Sequence, residues 1–227
     1  MSKKTSYKTV LHESETLLIE KKSKFISHVM PVDNEPDAIE YLNKIRAKYP
    51  DATHNVYAYV IDENNIFRYS DDGEPSGTAG MPVLDAIRKA GLVDVIVVVT
   101  RYFGGTLLGT GGLVHTYGAS ASKGLEASEI IMRELCDIVS VKLDYNMAGK
   151  LQHKIASDGL MLEDTVYAEN VELIICSPIG ETERLIAQIT DLTNGRAECA
   201  VKDKKYINRK NMTGGMSDGN QINVIEF

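Results

Sequence analysis

Apolar positions along this chain repeat in two rhythms, and the change from one to the other sets the expected elements. Leu17, Ile19, Phe25 and Val29 share one parity, which predicts one or two strands within 9–32. Ala38, Leu42, Ile45 and Tyr49 recur at i, i+4, i+7 and i+11, one face of a helix over 36–49. Short strands over 56–61 and 66–70 follow, joined by the turn Asp62-Glu-Asn-Asn. A polar stretch, Ser70-Asp-Asp-Gly-Glu-Pro-Ser-Gly, then leads into a helix over 79–90, with Pro82 tolerated in its first turn and Gly91 as its stop. The β-branched run over 94–102 reads as a buried central strand. A glycine-rich loop over 104–112 and a helix over 113–127 complete this part.

Beyond Ser128 the pattern becomes strand 136–146, helix 147–158, strand 160–168, strand 170–177, helix 180–194 and strand 197–207. That βαββαβ order, in about 75 residues, matches a ferredoxin-like split βαβ unit. The expected fold class is therefore α+β, with two α/β-type domains over 1–131 and 132–208 and a tail over 209–227.

Composition narrows the class of protein. With 43% hydrophobic and 25% charged residues in 227, the chain is globular rather than disordered. The longest strongly apolar run, Val95–Val99, is far short of a membrane span, so no membrane partner is expected. The basic N-terminal residues have no apolar stretch behind them, which predicts no secretory leader. Three cysteines at spacings that fit no zinc motif predict reduced, buried thiols and a cytoplasmic setting. A net charge of −7 argues against bulk coating of nucleic acid and leaves room for a local basic patch.

Four groups of residues carry candidate chemistry. The first is Arg101-Tyr-Phe-Gly-Gly-Thr-Leu-Leu-Gly-Thr-Gly-Gly, between a buried strand and a helix. Gly104, Gly105, Gly109, Gly111 and Gly112 permit close backbone approach, the following helix offers free N–H groups, and Arg101 offers a bidentate charge. Together they read equally as an anion cradle or as tight helix–sheet packing. The second is Asp71, Asp72 and Glu74, with Ser76, as a ligand-binding loop or a capped turn. No second acidic cluster completes a metal shell, so neither a metal nor a cofactor is expected. The third is His54, at the entry to a strand, with His115 just after the glycine-rich loop; each reads as a general base if Asp72 or a hydroxyl comes close, or as a hydrogen-bonded structural residue. No HExxH, GxSxG or cysteine-nucleophile motif is present, so no catalytic residue is assigned. The fourth is Lys202, Lys204, Lys205, Arg209 and Lys210, five bases against one acid in nine positions, as nucleic-acid contacts. Tyr57, Tyr59, Phe67 and Tyr69 sit on strand faces, where core packing and base stacking are the two readings.

At these residues the chain resembles the Impact (YigZ-type) family. The pattern of Gly80, Val83, Leu84, Ile87, Leu92, Val98, Val99, Arg101, Tyr102, Phe103, Gly104, Gly105, Leu108 and Gly109 is similar to the family's without a departure. Lys22-Ser-Lys-Phe-Ile, Ala52-Thr-His-Asn-Val-Tyr-Ala-Tyr and Asp71-Asp-Gly-Glu-Pro-Ser-Gly-Thr-Ala-Gly look like its other blocks. The resemblance implies a first domain like the second domain of ribosomal protein S five, and a second like the fifth domain of elongation factor G. It implies a translation-related binding or regulatory protein whose partner is RNA, the ribosome or a translation factor. The alternative is an enzyme that takes a small molecule or nucleotide phosphate at the glycine-rich and acidic loops. A protein-interaction adaptor is a third. Oligomeric state is not set by the sequence.

Overall fold

The computed structural model describes residues 4–210 of the chain. The segment 211–227, and with it most of the expected tail, lies outside the described residues, as does the side chain of Lys210. Two compact units divide it: Tyr7–Met132, and the chain from Arg133 on together with residues 4–6. No helix among the described residues is long and apolar enough to cross a membrane.

The region 9–32 is more divided than the sequence pattern suggests. It holds the end of β1 (Ser6–Val10), then β2 (Ser14–Glu20) and β3 (Ser23–Pro31), the last two paired antiparallel around Lys21 and Lys22. Then come α1 (Glu35–Lys48), β4 (His54–Ile61), β5 (Ile66–Ser70), α2 (Gly80–Ala90), β6 (Val95–Tyr102) and α3 (Gly109–Ala127). The first sheet has the order β2-β3-β6-β4-β5. Its central strand β6 is antiparallel to both neighbours. Helices cover both faces, which is why the run Val95–Val99 is continuously apolar. Val95, Val97 and Val99 pack with α2 and α3, while Ile96 and Val98 pack with α1.

Local signals set the helix ends. Asn34 accepts a hydrogen bond from Asp37 N at 2.9 Å and caps α1. Gly91, left-handed at φ 68°, ends α2 as its position in the sequence predicts. The glycine-rich segment differs from expectation. Helix α3 begins at Gly109, not 113, so Gly109, Gly111 and Gly112 belong to its first turn. Each glycine costs the helix up to about 1 kcal/mol relative to alanine. The apolar face Leu113, Tyr117, Ala121 and Leu125, packed into the first core, outweighs that cost.

His28 lies on the α1 face of β3, fully buried, 3.4 Å from Glu15 Oε2 but out of line for a hydrogen bond. Burial pushes its pKa down to about 4, against the opposing pull of Glu15, with Lys48 adding to the depression and Glu13 opposing it. Between about pH 6.5 and 4 the unfolded chain binds a proton that the folded chain refuses, so stability falls as pH drops through that window. Urea unfolding at pH 7 and pH 4.5 should show wild type losing on the order of 2 kcal/mol more than His28→Leu. Equal losses would show that His28 is not the acid-sensitive group.

The second unit contains β7 (Ile130–Leu143) from Arg133 on, α4 (Tyr145–Ser157), β8 (Met161–Tyr167), β9 (Val171–Pro178), α5 (Thr182–Thr193) and β10 (Glu198–Lys210). Strand β7 starts six residues before the expected 136 because β1 pairs with it, and Leu135 N donates to Thr5 O at 2.8 Å. Strand β7 also pairs with β9 and β10, and β9 pairs with β8, giving β10-β7-β9-β8. This is the ferredoxin-like arrangement that the βαββαβ order predicts. Val139, Val141, Leu173 and Ile175 meet Leu151, Ile155, Leu185 and Ile189 in one core.

Candidate functional site

One row of residues crosses the first sheet near the C-terminal end of β6: Leu18, Phe25, Arg101 and His54, on β2, β3, β6 and β4. Directly opposed cross-strand residues share a face. Arg101 has the parity of Val95, Val97 and Val99, so the row faces the α2–α3 core. The guanidinium thus enters among buried apolar groups, and Arg101 is only 5% exposed. A charge there is tolerated only when paired.

Glu74, itself buried, supplies the pairing. It accepts hydrogen bonds from Arg101 Nη1 and from Tyr117 Oη, the latter at 2.7 Å. Burial and this bond push the Tyr117 pKa up, so it stays a phenol donor. His54 Nε2 stands 3.8 Å from the same carboxylate oxygen. Its Nδ1 lies 2.7 Å from the carbonyl of Asp72, and since a carbonyl only accepts, Nδ1 carries the hydrogen.

The acidic loop is closed on itself. Asp71 accepts from the backbone N–H groups of Gly77 (2.9 Å), Ala79 (3.0 Å) and Gly80 (2.8 Å), and so caps α2 from a distance. Asp72 accepts from Asn55 N at 2.6 Å and pairs with Arg46 at 3.0 Å. Ser76 is exposed. Among the described residues no group of three or more His, Cys, Asp or Glu is placed to hold a metal ion. The structure therefore brings Arg101, His54, Asp72 and Glu74 together, but as partners of one another. Their charges hold the 71–79 loop against the sheet, and Arg101 is matched by Glu74 rather than offered to an anion.

The glycine segment presents a different surface. Phe103 N donates to Thr53 Oγ1 at 3.0 Å, and Gly104 N donates to Ser23 Oγ at 3.1 Å. Gly104 lies so close to the β2–β3 turn that a Cβ there would stand 2.0 Å from the carbonyl carbon of Lys22. Gly105 adopts φ 81°, turning the chain toward α3. Outward from this anchor, Phe103 is 46% and Leu107 82% exposed. Gly109, Thr110 and Gly111 are exposed at the start of α3, whose first turn has no acidic residue and no side-chain cap. Lys21, Lys22 and Lys24 are all exposed at the adjoining turn. None of the three has a carboxylate partner among the described residues. Lys44, Arg46, Lys48 and Arg68 of the same unit are all paired.

The basic segment of β10 is arranged otherwise. Lys204 pairs with Asp137 at 3.6 Å, Arg209 with Glu134 at 2.8 Å, and Lys205 with Glu163. Lys202 is exposed. Three of the five bases along this stretch are thus matched by acids of the same sheet, two on β7 and one on β8. Cys136 and Cys176 are buried, and burial pushes their thiols up to about 11 and 12, so they remain neutral. Tyr57 and Tyr59 stack at 6.1 Å, with Tyr59 donating to Glu35 at 2.6 Å, as packing groups under α1.

Most of the charged residues that sequence reasoning singled out are ion-paired, Lys202 apart, while Lys21, Lys22 and Lys24 were not among them. Lys21, Lys22 and Lys24 were visible as Lys-Lys-Ser-Lys between two strands, with Glu20 as the one nearby acid, but three bases in a turn stand out less than five in a strand.

The fold and this site define a two-unit α+β protein, the first unit built around a buried Arg–Glu clamp and the second ferredoxin-like. The chain belongs to the IMPACT family. Residues 21–125 match the Impact N-terminal domain, and residues 141–196 match a domain of unknown function (DUF1949). It is 40% identical over 205 residues to the IMPACT family member YvyE of Bacillus subtilis, covering 90% of this chain and 94% of that protein. It is 30% identical over 178 residues to the IMPACT family member YigZ of Escherichia coli, covering 77% and 87%. The Protein IMPACT homolog of Dictyostelium discoideum is 41% identical over 101 residues, 42% of this chain and 29% of that protein. A crystal structure of a hypothetical protein superposes with a TM-score of 0.59 at 27% identity, covering 88% of this chain and 98% of the other.

Proposed function

We propose that this is a translation-related RNA-contacting protein whose contact surface is the Lys21–Lys24 end of the first sheet. The reading is carried by three exposed lysines without carboxylate partners, set beside an exposed aromatic ring and an open helix start. Phosphate contacts need unmatched cations rather than a basic chain as a whole, so a net charge of −7 does not oppose them. The translation setting comes from the family resemblance. The Dictyostelium relative matches 101 residues, 42% of this chain. Internal bonds made by Arg101, Asp71, Asp72 and Glu74 support the RNA reading over the enzyme alternative.

Co-sedimentation with ribosomes and filter binding to ribosomal RNA across a salt series tests the proposal. Wild type should bind at about 50 mM salt and be released as salt rises, and Lys22→Glu/Lys24→Glu should weaken binding roughly tenfold or more. No binding at low salt, or a double variant that binds like wild type, would sink it.

A further inference from the structure

We infer that the RNA taken by this surface is single-stranded at the contact, with one base stacked on the outer face of Phe103. The inference rests on the RNA reading above and adds the conformation of the ligand to it.

Phe103 is held as a platform before any ligand arrives. Its backbone N–H is bonded to Thr53 Oγ1, and the next residue is fixed to Ser23 Oγ and wedged against Lys22. The Arg101 guanidinium stands 5.6 Å from the Phe103 ring centroid and 5.3 Å from that of Phe25. Arg101 thus backs Phe103 from the buried side, while 46% of Phe103 remains open. A ring on an anchored backbone with a free side offers an unpaired base a stacking surface, and anchoring before binding lowers the freedom lost on binding.

The neighbouring groups suit a strand rather than a duplex. Gly104 and Gly105 put no side chain beside the ring. The Lys22 backbone lies against Gly104, the residue after Phe103, so a lysine side chain starts beside the platform where it would meet a phosphate flanking the stacked base. A duplex offers its outermost phosphates to lysines but keeps its bases stacked inside, so it would gain from the lysines and nothing from the ring.

The chain contains no tryptophan, so Phe103→Trp carries a single reporter at the platform. An unstructured 12-nucleotide RNA should quench its emission, and a 12-base-pair RNA duplex should not. In fluorescence anisotropy, Phe103→Ala should weaken the single strand by about 5- to 100-fold while leaving duplex affinity unchanged. Phe103→Trp should restore wild-type affinity for the single strand. Thermal unfolding of Phe103→Ala establishes that the fold is retained. If Phe103→Ala binds the single strand like wild type while Lys22→Glu/Lys24→Glu weakens it, the stacking inference falls and RNA contact stands. Equal losses on strand and duplex also overturn stacking. If neither RNA binds wild type, both fall.

Discussion

Glu74→Ala is expected to lower the stability of the first unit by about 3–5 kcal/mol, because it leaves the Arg101 guanidinium buried without its counter-charge. Among the described residues Glu74 is the carboxylate paired with Arg101, and no other acid is placed to take over. Phe25 and Tyr117 are both fully buried, and Arg101 Nε already lacks a hydrogen-bond partner. Tyr117 Oη would lose its acceptor as well. Removing both charges should be far milder. Arg101→Met/Glu74→Leu is expected to be more stable than the sum of the two single variants by more than about 2 kcal/mol, since neither charge is then stranded. Urea unfolding followed by far-UV circular dichroism measures all of these. A loss below about 1 kcal/mol for Glu74→Ala would mean that the pair does not hold the loop to the sheet.

Gly104→Ala is expected to cost about 3 kcal/mol or more, at the upper end of overpacking. The added Cβ would stand 2.0 Å from the Lys22 carbonyl carbon and 2.3 Å from both the Lys22 carbonyl oxygen and Ser23 N. All three are backbone atoms, so no rotamer change relieves the clash. The β2–β3 turn and the start of the glycine segment must separate, breaking the Gly104 N–Ser23 Oγ bond. Gly105→Ala is the control. It meets open space but sits at φ 81°, so it should cost only about 1–2 kcal/mol. Differential scanning calorimetry of the two variants checks the order. Because the separation moves Lys22 away from Phe103, Gly104→Ala should also weaken RNA binding.

Elements with a local cause were legible in the sequence. The β-branched run over 94–102 marks the central strand, Gly91 ends α2, and the βαββαβ order is the order of the second unit. Features made by distant partners were not. Glu74 and Arg101 are 27 residues apart and meet only because β6 and the 71–79 loop converge over α3. Asp71 looks like a ligand until the backbone amides it caps are in place. Five bases over 202–210 look like a nucleic-acid strip, but Glu134, Asp137 and Glu163, brought near by β7 and β8, pair with three of them. The glycine run misled on the start of α3, because glycine's poor helix propensity was set against a helix face whose burial outweighs it.

The salt dependence of affinity for an unstructured RNA, measured between about 50 and 300 mM, tests most directly where the phosphates are held. For single strands the log–log slope changes by about 0.7 per phosphate contact. Lys21→Ala/Lys22→Ala/Lys24→Ala should therefore have a slope shallower than wild type by about 2. Lys202→Ala/Lys204→Ala/Lys205→Ala should keep the wild-type slope. Equal slopes for wild type and the first variant, or a slope lost only in the second, would contradict RNA contact at the Lys21–Lys24 end of the first sheet.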